Sequence, residues 1–256
     1  MGESPGTMSF VDRVNVYRDA DHGTWYDELL ITDNRLVVVG YDYDEEASEL
    51  AIFKIDDKGV FAFEATYYIT SNDYYSIDNY ASRLVDGNLV LYTPLYLIES
   101  DPDEPQEFPR VRRWTEIDGY SEWQPLFTPN DIYFPIQRTL EPTVHTISVC
   151  PIAGEFRCRS TGVIGPSQRE FYVTPEFAYV WVSMSGYDTW EWRLDACGAG
   201  VASGPFRPLP AALYRIPLAG GRALAVGTAG TPLGPVLIAA RRNEFPALLQ
   251  FSPGEG

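Results

Sequence analysis

The chain has 256 residues, 45% of them hydrophobic, enough for one large all-β domain or two ordinary ones with a packed core. Its net charge of −17 argues against nucleic-acid and anionic-membrane partners, because that affinity comes from Lys and Arg meeting phosphates. Cationic ligands, Ca²⁺ among them, remain compatible, although solubility is the plainer reason for the acidity.

Residues 1–10 are polar, show no secretory signal and are expected to form a disordered tail. No run approaches the roughly 20 apolar residues of a spanning helix, so no membrane insertion is expected. Strand signals then dominate. Arg13–Tyr17 alternates polar and apolar residues. Glu28–Thr32 and Arg35–Gly40 flank a turn at Asp33-Asn34. Glu49–Asp56 and Val60–Tyr68 flank a turn at Asp57-Lys58-Gly59. In Ser71–Leu97 a polar, Tyr-rich cluster precedes two apolar runs split by Asp86-Gly87, a strong hairpin signal. Pro94 lacks an amide donor and marks a strand end or edge. Glu99–Pro109 and Gly198–Pro210 read as loops or linkers. No segment shows capped helical periodicity, so very little helix is expected.

One pattern recurs. Asp33–Gly40, Asp86–Thr93, Pro175–Ser183 and Gly220–Thr228 are each a polar turn followed by a β-rich apolar run. The first two copies start 53 residues apart and the last two 45 apart, leaving room for a weaker copy near Asn130–Ile136. Periods of roughly 40–50 residues in an all-β chain point to propeller blades. They favour a β-propeller-like array of four-stranded blades over the rival, a pair of β-sandwiches. The blades would occupy residues 11–232, with 233–256 as a separate C-terminal tail.

Candidate chemistry is sparse. Asp42, Asp44, Glu45, Glu46 and Glu49 form an acidic cluster that oxygen-seeking Ca²⁺ would accept, but EF-hand spacing is absent and a solvated turn explains it equally. The same holds for Asp101, Asp103 and Glu104. The two histidines, His22 and His145, stand in no zinc or triad motif, and His145 reads as a structural residue of an apolar strand. Asn72, Asp73, Tyr74, Tyr75, Asp78, Asn79 and Tyr80 combine aromatic rings with amides and carboxylates, a set suited to stacking and hydrogen bonding with a sugar or peptide. The alternative is a loop whose tyrosines fill space and whose Asx side chains cap turns. Cys150 and Cys158 flank a turn-like Pro151–Gly154, either as a disulfide across a hairpin or as two buried thiols; Cys197 is left over. Residues 198–256 hold only two acids, Glu244 and Glu255, against five arginines, so composition changes near Cys197.

Several stretches resemble a family of secreted bacterial proteins with a β-propeller domain of uncharacterised function. They are 27–44 (DELLITDNRLVVVGYDYD), 49–59, 71–97, 143–150, 156–166, 171–183 and 212–221. The resemblance spans roughly 11–232 and implies a propeller, export to the periplasm or beyond, and pairing of Cys150 with Cys158. It brings no catalytic residues. Members carry a leader and are longer. After Thr231-Pro232 they continue in a strand resembling Asp-Gln-Phe-Ser-Phe, where Gly234–Ile238 stand here. The last twenty or so residues are therefore expected to be out of frame and poorly ordered, leaving an incomplete propeller with an exposed blade edge. The expected function is a non-enzymatic binding or scaffold module for a protein or glycan ligand. The alternative is a propeller-type hydrolase acting on glycans through loop carboxylates.

Overall fold

A computed structural model describes residues 9–16, 23–32, 34–72, 82–97, 108–133, 142–153, 156–183, 210–220 and 223–229. Among these the chain is all-β, with no α-helix and one 3-10 turn at Pro129–Asp131. It divides into two compact units, residues 1–135 with 141–164, and residues 136–140 with 165–256.

The first unit begins with an up-and-down meander of β1 (Thr24–Ile31), β2 (Arg35–Asp42), β3 (Ala47–Ile55) and β4 (Phe61–Thr70). The turn after β3 forms at the expected Asp57-Lys58-Gly59. The Asp56 carboxylate accepts the amides of Lys58 and Val60, and Gly59 takes a φ of 82°. β7 (Arg110–Thr115) adds to β4, and β8 (Gly119–Tyr120) and β9 (Gln124–Pro125) both pair with β7, completing a seven-stranded sheet.

A second sheet runs in the order β10 (Ile132–Tyr133), β12 (Arg159–Gly165), β11 (Thr143–Pro151), β6 (Asn88–Tyr96) and β5 (Ser82–Val85). Asp86 and Gly87 join β5 to β6 with φ of 48° and 74°, the left-handed pair that a two-residue hairpin demands. The two sheets meet through one apolar layer. Val37, Val39, Leu50, Ile52 and Ile69 come from the first sheet, and Leu89, Leu91 and Cys150 from the second. Burial of this layer is the main drive holding the unit together.

The second unit contains a four-stranded antiparallel meander of β13 (Gln168–Val173), β14 (Phe177–Ser183), β15 (Pro210–Pro217) and β16 (Leu224–Ala229). Tyr179, Trp181, Ala211 and Leu213 form its core cluster.

Three local expectations change. Arg13–Tyr17 was expected to be a strand, but residues 13–16 form an extended strap instead, and Tyr17 lies outside the described residues. The alternation serves burial rather than pairing: Val14 and Val16 pack on Leu36, Val38, Ala51 and Phe53, the face of the first sheet opposite the inter-sheet layer. Pro94 does not end its strand, because β6 runs on to Tyr96. The Pro94 carbonyl accepts the Asn72 amide at 3.1 Å. A strand residue points its N and O to the same side, so the missing Pro94 amide faces away from β11 and breaks no rung of that ladder. Finally, the repeated turn-strand pattern is uneven. The Asp33, Asp86 and Pro175 copies become the second strands β2, β6 and β14, whereas the Gly220 copy is the fourth strand of the last sheet and the Asn130 copy only the short β10. Residues 230–256, with the tail expected to be out of frame, lie outside the described residues.

Candidate functional site

One row of side chains crosses five strands of the first sheet. Tyr26 lies opposite Gly40, Gly40 opposite Glu49, Glu49 opposite Tyr68, and Tyr68 opposite Arg112. Glu49 is fully buried. Its carboxyl group accepts hydrogen bonds from the Tyr26 hydroxyl at 2.8 Å and the Thr24 hydroxyl at 3.2 Å, as a buried polar group requires. Gly40 makes this approach possible. A Cβ there would stand 2.5 Å from the Trp25 carbonyl oxygen and 2.6 Å from Tyr26 Cδ1. At the far end of the row the Arg112 guanidinium lies over Tyr120 at 4.0 Å and Trp123 at 4.7 Å, and pairs with the Glu45 carboxylate. Stacking and a charge partner together fix this planar cation and dock β7–β9 onto the sheet.

The acidic turn closes the same end of the sheet. Buried Asp42 accepts the backbone amides of Asp44 and Glu45 at 3.0 and 3.1 Å. Asp44 accepts the Gly23 amide at 3.3 Å. Asp42, Glu45 and Glu49 therefore spend their carboxylates on amides, a guanidinium and hydroxyls. Among the described residues no group of three or more His, Cys, Asp or Glu is placed to hold a metal ion.

Several large aromatic side chains of the first unit face solvent. Trp25 is 53% exposed, Tyr43 45%, Tyr120 41% and Phe108 39%. Trp25 lies opposite Tyr41, whose ring meets Tyr43 edge-on at 5.1 Å. Tyr41 is itself buried and anchored, its hydroxyl donating to the Ser71 carbonyl at 2.7 Å.

Of the residues expected to bind ligand, only Asn72 is described. Its side-chain oxygen accepts the Tyr96 amide at 2.6 Å while its own amide bonds Pro94, so it ties the end of β4 to the end of β6. Asp73, Tyr74, Tyr75, Asp78, Asn79 and Tyr80 lie outside the described residues, as do His22, Asp101, Asp103 and Glu104. His145 is fully buried and within 2.8 Å of the Tyr92 hydroxyl through Nδ1, a satisfied core histidine. Cys150 and Cys158 are joined, with S–S at 2.07 Å.

The Tyr26–Glu49 contact and the Arg112 stack were not foreseen. A signal existed for the first: the alternation of Glu49, Ala51 and Phe53 places a carboxylate on an apolar face. No helix among the described residues is long and apolar enough to cross a membrane. No protein-family model, curated protein or solved structure matches the chain.

Proposed function

We propose that this chain is a non-enzymatic binding or scaffold module of an exported bacterial protein, built from propeller-type blades, that takes a protein or glycan ligand on the exposed aromatic end of its first sheet. The observation that carries this reading is the exposure of Trp25 and Tyr43 beside an acidic turn, Tyr43 standing in the turn and Trp25 opposite Tyr41. Aromatic rings of this size provide contact area at low entropic cost. The nearby carboxylates of Asp42, Glu45 and Glu49 are already committed to structural partners, which favours binding over acid–base chemistry.

Three features support the blade architecture and its setting. β1–β4 and β13–β16 are four-stranded meanders, and β5, β6, β11 and β12 stand side by side between them in sequence. The resemblance of residues 27–44 and 71–97 to secreted propeller proteins points the same way. The Cys150–Cys158 bridge suits an extracellular or periplasmic compartment, where disulfides persist.

Calorimetric titration of the whole chain with neutral β-1,4-linked oligosaccharides and with Lys-rich peptides tests the proposal. Saturable binding is expected, weakened about tenfold or more in Trp25→Ala or Tyr43→Ala. Binding unchanged in the double variant, or none to either probe, would sink it. Release of new reducing ends from the oligosaccharides would instead establish the hydrolase, which needs two carboxyl groups roughly 5–10 Å apart.

A further inference from the structure

The layer between the two sheets of the first unit changes character along its length. At one end it is the apolar cluster of Val37, Leu50, Leu89 and Cys150. Toward the other end the second sheet turns hydroxyls into the same layer. Side chains alternate faces along a strand, so Thr93 follows Leu89 and Leu91 on β6, and Ser148 and Thr146 follow Cys150 on β11. Ser82 and Ser148 both lie opposite Leu91, and Thr146 lies opposite Thr93. The Ser148 hydroxyl meets that of Ser160 at 2.8 Å. All five side chains are buried.

Ser148 and Ser160 satisfy each other, but among the described residues the buried hydroxyl oxygens of Ser82, Thr93 and Thr146 have no partner. Three neighbouring orphans in one stripe are unusual, because a hydroxyl buried without a partner is worse than an apolar group of the same shape. Beside them Tyr41 and Ser71 already spend their hydroxyls on the carbonyls of Ser71 and Pro94. The stripe offers only neutral oxygens. Divalent cations such as Ca²⁺ take carboxylates among their ligands, whereas water both donates to and accepts from hydroxyls.

We propose that this stripe is a solvent-binding site, in which ordered internal water bridges Ser82, Thr93 and Thr146 between the two sheets. The inter-sheet layer is then dry around Cys150 and hydrated toward Thr93, next to the point where Ser71 and Asn72 tie β4 to β6. Bridging water satisfies the three hydroxyls without requiring them to touch, and each becomes worth more than the methyl that would replace it.

The test uses the full chain with methyl-labelled threonine, together with Thr93→Val, Thr146→Val and the double variant. Nuclear Overhauser cross-peaks between long-lived water and the Thr93 and Thr146 methyls are expected in the wild type. The Thr146 cross-peak should weaken in Thr93→Val. The unfolding equilibrium constant should rise roughly tenfold or more in the double variant, since each bridged hydroxyl contributes as an ordinary hydrogen bond does. Absence of the cross-peaks overturns the proposal, as does a double variant as stable as the wild type. If the double variant fails to fold, the wild-type cross-peaks and the single variants decide.

Discussion

Gly40 shows how much one residue can decide. It sits in the middle of a row whose other members are large or charged, and a Cβ would fall 2.5 Å from backbone at Trp25. A side chain can rotate away from such a contact, but a carbonyl held in a ladder cannot. Gly40→Ala should therefore destabilise the chain by about 1–3 kcal/mol, the usual cost of overpacking, and move the Tyr26 hydroxyl off Glu49. Urea unfolding measures this; a variant indistinguishable from wild type would mean that β1 relaxes freely. In sequence Gly40 is only the last residue of a β-rich run, and nothing there says that Tyr26 crosses over it. A bulge between Tyr26 and Glu28 shifts the register, so Tyr26 opposite Gly40 and Leu29 opposite Val38 share a face although they are three residues apart. Simple alternation cannot read that.

At the scale of elements, hairpins were the most legible part of the chain. Asp86-Gly87 and Asp57-Lys58-Gly59 turn where their residue types require, with Asp56 capping the second, because tight turns are settled by local φ and side-chain capping. Arg13–Tyr17 misled for the opposite reason: alternation reports a buried face, and residues 13–16, lying on a sheet without forming a strand, satisfy it as well as a strand does. The segment between Cys150 and Cys158 is closed covalently across eight positions. Loop-closure entropy for that span amounts to about 2.5 kcal/mol. Reductant should lower the urea midpoint by an equivalent amount in the wild type and leave a Cys150→Ala/Cys158→Ala variant unchanged. An insensitive wild type would show that the thiols are not joined in solution.

For the whole molecule, charge is the dominant sequence-level fact. A net −17 makes the folded chain repel itself. Raising NaCl from about 0.01 to 0.1 M shortens the screening length from about 30 to about 10 Å, so the melting temperature should rise and then level off. A further rise with Ca²⁺ but not Mg²⁺ at matched ionic strength would reveal a specific metal site, and equal responses would mean screening alone. The strand-rich composition and the hairpins were decided by the sequence itself, because turn chemistry and side-chain period are local, whereas the residues around Cys150 and Cys158 left a bridge and two thiols open and the structure joins them. Which face of β1 meets Glu49, how Arg112 comes to lie over Tyr120 and Trp123, and how Trp25 comes opposite Tyr41 beside Tyr43 were decided only by tertiary structure. Those contacts join residues up to tens of positions apart, across a bulge and an added strand, and no local pattern encodes the register that brings them together.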